Sequence, residues 1–168
     1  MAEEPNNQPN NQQNAEQTEQ FAIQNVYIKD VSFETPNSPQ IFMEKWQPKL
    51  ELEISNDIKQ LNDELFEVVL NLTATVKIEE KTAFLIEVHQ AGLFAIKGFP
   101  NDRISYMLNA YCPNVLFPFA RETVANLVIK GGFQPLWLSP INFDALYAQQ
   151  LQKQQNQQNQ QPSTDTIN

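Results

Sequence analysis

The sequence has few of the residues on which catalytic, metal and disulfide chemistry depends. Its 168 residues include one cysteine, one histidine and four glycines. Cys112 has no second cysteine with which to form an intramolecular disulfide, and His89 has no partners to complete a zinc site. There is also no glycine-rich phosphate loop and no nucleophile paired with a base. We therefore predict neither an enzyme nor a bound cofactor or metal. We interpret His89 as a surface or interface residue and Cys112 as a packed or capping thiol.

Long hydrophobic runs and an excess of positive charge are also missing. No apolar stretch approaches the roughly 20 residues that cross a bilayer, and the first residues do not resemble a secretory signal, so we expect a cytoplasmic protein with no direct membrane insertion. The 20 acidic and 11 basic residues give a net charge of −9. This charge disfavours nucleic acid as a partner and favours a basic polypeptide.

Glutamine and asparagine dominate both ends of the chain. Residues 1–20 and 149–168 contain few apolar side chains that could offset the entropy of ordering them. We predict that these two segments are disordered tails and that the folded unit comprises residues 21–148.

The first part of this unit has the two-residue period of β-strands. Apolar residues alternate with polar ones in three runs, around Leu52, from Phe66 and from Phe84, which indicates a meander of three strands. Asn62 supplies turn chemistry between the first two of these strands. An earlier strand candidate at 23–34 changes its apolar parity, which predicts a bulge or bend near Lys29.

After residue 100 the apolar period changes to that of helices. A short helix is predicted from residue 101, a second from Pro113 with a possible kink at Pro118, and a third near Asn142. Gly131 and the following glycine are expected to end the second helix. Strands followed by helices indicate an α+β fold.

The segment between the first two strands, residues 35–48, is rich in proline and also carries Phe42 and Trp46. Two interpretations stay open from the residues alone. These aromatic side chains can anchor the connection to the core, or they can line a binding groove.

Three segments closely resemble the signature stretches of the SecB family of export chaperones. They are VYIKDVSFETPN at 26–37, AYCPNVLFPFARE at 110–122 and LSPINFDAL at 138–146. Their order and spacing match the family, and the likeness extends over essentially the whole folded unit. The Gln-rich tails fall outside it.

The resemblance implies a four-stranded antiparallel sheet with helices on one face, assembled as a dimer of dimers. It implies an ATP-independent holdase that binds unfolded secretory precursors and delivers them to the translocation ATPase SecA. Positions matching Ile86, Val88 and Gln90 influence tetramer assembly in the family, and strand alternation places these three on one face.

The resemblance also nominates two binding surfaces. SecA is expected to dock through a basic, metal-stabilised tail on a carboxylate cluster around a leucine, made by Asp30, Glu34, Leu85 and Glu87. Unfolded clients are expected in a hydrophobic groove that includes Ile41, Phe42, Trp46, Leu50 and Leu52.

Two other classes of function remain as alternatives. One is a small carrier that encloses an apolar ligand between the sheet and a helix, and the other is an oligomeric scaffold that binds one folded partner. A carrier should hold a small molecule, whereas a chaperone should bind denatured polypeptides of unrelated sequence.

Overall fold

The computed structural model describes residues 18–158. Four long strands are followed by helices, and a 3-10 turn, Gln40–Met43, lies in the first connection. The strands are β1 (Gln20–Glu34), β2 (Pro48–Gln60), β3 (Leu65–Ile78) and β4 (Lys81–Lys97). The helical segments are α1 (Asn101–Tyr106), a π-turn (Met107–Tyr111), α2 (Cys112–Lys130) and α3 (Phe143–Gln158).

The strands form one antiparallel sheet in the order β1-β4-β3-β2. The predicted turn between β2 and β3 is present, because the Asn62 side-chain oxygen accepts hydrogen bonds from the backbone N–H groups of Glu64 and Leu65. One side of the sheet packs against α2, and we call it the helix side; the opposite side is the open side. The predicted α+β class, with four strands and helices on one face, is confirmed.

Strand β1 contains two irregularities where it pairs with β4. The register shifts between Ile28 and Asp30, which confirms the bulge predicted near Lys29. A further shift, between Ile23 and Asn25, was not predicted. A bulge inserts one residue and so moves all later side chains to the opposite face of the strand.

The two helices predicted at residues 101–111 and from Pro113 form one continuous helical run, which differs from the prediction. A proline inside an α-helix removes one N–H donor, and its ring meets the carbonyl group four residues earlier, here that of Asn109. The wider π-turn Met107–Tyr111 ends two residues before Pro113 and gives the ring room without ending the helix.

The core lies between this helix and the two central strands. Leu116, Val124 and Val128 of α2 are fully buried in a cluster with the helix-side residues of β3 and β4. Gly92 permits this close approach, since a Cβ atom there would lie 2.6 Å from the Phe94 ring and 3.0 Å from Leu116. Burying each large aliphatic side chain contributes about 1.5–3 kcal/mol to folding.

Cys112 begins α2 as a free thiol with no exposed surface. Burial raises the pKa of this thiol to about 12 from an ordinary value of 9.0. At pH 8 the thiolate population should then be about a thousandfold below that of an exposed cysteine, so we expect negligible reaction with a disulfide reagent until the protein unfolds. Absorbance-monitored thiol titration of native and urea-unfolded protein measures this, and rapid native labelling would contradict the buried assignment.

Helix α3 begins where predicted but extends further than predicted. The Asn142 side-chain oxygen accepts the Ala145 N–H, and Tyr106 of α1 donates a 2.7 Å hydrogen bond to Asp144. The helix continues to Gln158, past the predicted boundary at residue 148, because glutamine is a good helix former and the apolar stripe reaches Leu151. The remaining tail residues, 1–17 and 159–168, lie outside the described part of the chain.

Candidate binding surfaces

An aromatic cluster joins the first connection to the segment that follows α2. Phe133 is at its centre, with ring centroids 5.0 Å from Phe42, 5.8 Å from Trp46 and 4.9 Å from Phe84 of β4. Such spacings are those of favourable aromatic pairs. The proline-rich connection is therefore held to the sheet through side chains from three separate parts of the chain.

The two glycines that end α2 allow this cluster to form. A Cβ atom on Gly131 would lie 2.2 Å from the ring of Phe33, so the β1 aromatic packs directly against the helix end. Gly132 has a φ of 87°, a conformation that side chains other than glycine rarely adopt, and it turns the chain so that Phe133 reaches Phe42.

The same aromatic side chains are also accessible from outside. Phe42 is 51 % exposed. Trp46 of the same connection and Leu50 of the neighbouring edge strand β2 are also exposed. A cavity of about 160 Å³ lies beside them, lined among others by Pro135 and Leu136. We call this surface, made by Phe42, Trp46, Leu50, Phe133 and Leu136, the aromatic groove. Both interpretations of Phe42 and Trp46 apply, since each anchors the connection and presents apolar area.

Two residues nominated for the groove are more buried than the other three. Ile41 is only 2 % exposed and belongs to the core, where it fixes the 3-10 turn to the sheet. Leu52 is half-buried on the helix side of β2 and packs against the core cluster. Ile41 and Leu52 support the groove from within the single chain, because neither presents much surface to a ligand.

Sequence reasoning missed the second wall of the groove. Phe133 contributes to it by contacting Phe42 and Trp46, and Leu136 lines the cavity. Trp137 next to them is exposed, with the Arg121 guanidinium 5.8 Å from its ring centroid. The signal was present, because residues 133–138 combine aromatic and aliphatic side chains with a proline outside any regular element. The same criterion nominated Phe42 and Trp46.

The predicted SecA-docking residues come together on the open side of the sheet. Glu34 of β1 pairs with Leu85 of β4, and Glu87 pairs with Ser32 two positions further along. Asp30 faces His89 in the next such pair. We call Asp30, Glu34, Leu85 and Glu87 the acidic face. Within residues 18–158 its three carboxylates form no ion pair, and all three are exposed.

Ile86, Val88 and Gln90 share the helix side of β4, as alternation predicts. All three are buried within the single chain, under α2 and beside β1. The Gln90 side chain donates a 2.9 Å hydrogen bond from Nε2 to the backbone oxygen of Tyr27. Any influence of these three residues on assembly must therefore be indirect, through the positions of α2 and β1.

The described residues provide few features of a metal, membrane or carrier site. Between residues 18 and 158, no group of three or more His, Cys, Asp or Glu side chains could hold a metal ion. None of the helices in this region has the length and hydrophobicity to cross a membrane. Side chains such as Phe84, Phe94 and Leu116 fill the centre of the space between the sheet and α2, and a cavity of about 380 Å³ beside it is lined among others by Ile54 and Pro113.

Fold and surfaces together define an α+β binding protein with an apolar groove and a separate acidic face. The family model of the preprotein translocase subunit SecB matches residues 13–154. Among curated relatives, the protein-export protein SecB of Methylococcus capsulatus is 60 % identical over 133 residues, covering 79 % of this chain and 86 % of the relative. That of Nitrosococcus oceani is 54 % identical over 155 residues, covering 91 % and 93 %. The chain belongs to the SecB family of protein-export chaperones.

A solved structure agrees at the level of fold. A SecB-like chaperone of Mycobacterium tuberculosis, in complex with a peptide from an antitoxin, superposes with a TM-score of 0.56. Its sequence is 17 % identical, and the match covers 72 % of this chain and 90 % of that one. At this identity the likeness supports the architecture of sheet and helices.

Proposed function

We propose that this chain is an ATP-independent holdase of the cytoplasm, without enzymatic activity. It binds unfolded secretory precursors in the aromatic groove and delivers them to SecA, which docks on the acidic face. The observation that carries this proposal is the exposure of Phe42 and Trp46 on a firmly packed base that includes Phe84 and Phe133.

The groove suits clients that share no sequence motif. Apolar burial is non-directional, so aromatic walls accept many side chains, and an extended client also needs partners for its backbone. The edge strand β2 borders the groove at Leu50 and has one sheet neighbour, β3, so its outer edge offers such partners. Folded proteins bury the apolar and backbone groups that this arrangement binds, which makes the groove selective for unfolded chains.

Holding without ATP follows from mass action. A partner that binds only the unfolded state lowers the free energy of that state according to its occupancy. Contacts in each subunit can be weak if several subunits grip one long client, because linked sites raise the effective concentration. We therefore propose a dimer of dimers as the working form.

Apolar surface on the helix side supports such an assembly. Phe119 and Ile129 of α2 and Ile28 and Val31 of β1 are exposed in the single chain. A second copy would cover this area, as expected for interfaces between identical subunits. Ile86, Val88 and Gln90 would influence the assembly indirectly, by setting the positions of α2 and β1.

The acidic face is separate from the groove, so both partners can bind at once. Its exposed carboxylates surround Leu85, a combination suited to a basic segment that carries one apolar contact. A chain with net charge −9 further attracts basic partners over a range of about 10 Å at ordinary salt.

The proposal is tested by adding the purified protein to unrelated proteins diluted from denaturant. We expect refolding of each to slow in proportion to chaperone concentration, with no nucleotide present, and light scattering with size-exclusion chromatography to give the mass of four chains. If only one folded partner bound and refolding rates stayed unchanged, the protein would be a scaffold. A bound small molecule in native mass spectrometry would instead favour a carrier.

A further inference from the structure

A partly buried carboxylate on the open side bonds to both ends of the short β1 segment that leads into the bulge. Glu67 of β3 accepts a hydrogen bond from the Tyr27 hydroxyl, and its other oxygen lies 2.8 Å from Nζ of Lys29. Only 13 % of the Glu67 side chain is exposed. The hydrogen bond from Lys29 is the largest cause that lowers the Glu67 pKa, and the bond to Glu67 raises the pKa of Tyr27 to about 12.

These bonds cross a whole strand of the sheet. Tyr27 pairs with Ala91 in β4, whereas Glu67 pairs with Leu93 on the other side of β4, so the two side chains meet over the intervening strand. Ala91 is fully buried, and its small side chain leaves room for the tyrosine to reach across. The side-chain contact therefore joins β1 to β3, in addition to the backbone pairing of β1 with β4.

The bonded residues stand at the bulge itself. Lys29 is the inserted residue, since Ile28 pairs with Gln90 and Asp30 pairs with the adjacent His89. On the helix side, Gln90 donates to the backbone oxygen of Tyr27. The bulge is thus held from both faces of the sheet by side chains of β3 and β4.

The bulge decides which side of the sheet the acidic residues occupy. Before it, Val26 and Ile28 lie on the helix side; after it, Val31 and Phe33 do. Without the extra residue, strand alternation would place Asp30 and Glu34 on the helix side and turn Val31 and Phe33 outward. The β1 half of the acidic face, Asp30 and Glu34, therefore depends on the bulge, whereas Leu85 and Glu87 keep their side of β4.

We propose that Glu67 is a positioning residue for the acidic face. Through Tyr27 and Lys29 it fixes the bulge in place, and so it keeps the Asp30 and Glu34 carboxylates in the register that a basic partner meets. The inference rests on the proposed docking of SecA to this face, and it adds a residue on a strand that contributes none of the docking groups.

A purely electrostatic role for Glu67 makes a different prediction. Lys59 of β2 pairs with Glu67, so removing the carboxylate leaves Lys29 and Lys59 without their shared anion near the acidic face. If charge alone mattered, Lys29→Met would make the surface more negative and would tighten binding of a basic partner. The positioning role predicts that Lys29→Met weakens it.

The test compares Glu67→Gln, Lys29→Met and the matched control Glu53→Gln, an exposed glutamate on the open side of β2. We expect the first two to weaken SecA binding about three- to tenfold, the range of one typical lost hydrogen bond. The control should be close to the parent protein. Client dissociation rates should stay unchanged in all three, and amide hydrogen exchange at residues 28–33 should quicken in the first two only. Tighter binding by Lys29→Met, or parent-like binding by Glu67→Gln, would overturn the proposal.

A double-mutant cycle separates positioning from direct contact and from general loss of stability. If Glu67 acts through Asp30 and Glu34, then Glu67→Gln should cause little further loss in a background that carries both Asp30→Asn and Glu34→Gln; independent, additive losses would refute the proposed route. If Asp30→Asn alone leaves SecA binding intact, the docking assignment fails. The amide exchange at residues 28–33 still reports whether Glu67 holds the bulge, and unchanged exchange in Glu67→Gln would reject that role too.

Discussion

Replacing Phe42 and Trp46 together by alanine is expected to speed client dissociation about thirtyfold. Truncating a central aromatic residue of an interface commonly costs 1–2 kcal/mol, and each 1.4 kcal/mol is a factor of ten, so two such residues justify an effect of this size. The change should fall mainly on the dissociation rate. Stopped-flow release of a fluorescent unfolded client measures it directly.

The control for this experiment is Leu61→Ala. Leu61 is an exposed apolar residue at the β2–β3 turn, at the opposite end of β2 from Leu50. It tests whether any loss of surface hydrophobicity weakens holding. Because Phe42 and Trp46 also pack on Phe133, circular dichroism must show that the double variant keeps its native unfolding midpoint within a few degrees. Unaltered client release by a folded double variant would move the client site to another surface.

Much of the sheet could be predicted because its strands place apolar side chains on the covered side and polar side chains on the exposed side. The alternation in β3 and β4 follows directly from one side being covered by α2, and the parity change in β1 marks the bulge at Lys29. The second bulge, between Ile23 and Asn25, left a similar mark, a change of apolar parity from Phe21 and Ile23 to Val26 and Ile28. Ile23 lies on an exposed part of the edge strand, where burial constrains the apolar pattern less.

The helices show where local rules were insufficient. Pro113 normally favours a helix start, yet here the preceding π-turn absorbs the ring and the helix continues. The deciding factor is tertiary, since Met107, Leu108 and Leu116 on both sides of the junction belong to one core cluster.

The binding surfaces were predicted in unequal measure for a similar reason. Residues of the acidic face belong to two paired strands, so parity together with the resemblance was enough to nominate them. The groove combines segments separated by about 90 residues, and nothing in the chain order indicates that Phe133 contacts Phe42. Glu67 was overlooked because its role depends on bonds that cross β4, which a pattern within one strand does not contain.

Reversing two charges of the acidic face, with Asp30→Lys and Glu87→Lys combined, should weaken SecA binding about fiftyfold at low salt. Each reversal removes an attraction to a basic segment and adds a repulsion of similar size, and both side chains are exposed, so folding should be little affected. The loss should shrink as ionic strength rises, because exposed charges are screened beyond about 10 Å at 0.1 M salt. Calorimetric titration of SecA at two salt concentrations measures both effects.

The matched control is Asp63→Lys, an equivalent reversal in the turn between β2 and β3. This turn lies next to the pair formed by Leu65 of β3 and Ala95 of β4. Ala95 is six positions along β4 from His89, the residue that pairs with Asp30. If net charge alone governed the encounter, the control would lose affinity in proportion to its single reversal. If the acidic face is the docking site, the control binds like the parent protein, and both variants still assemble and hold clients. Equal affinity of all three proteins for SecA would remove the acidic face from the mechanism, because attraction between opposite charges at that surface is what its geometry offers.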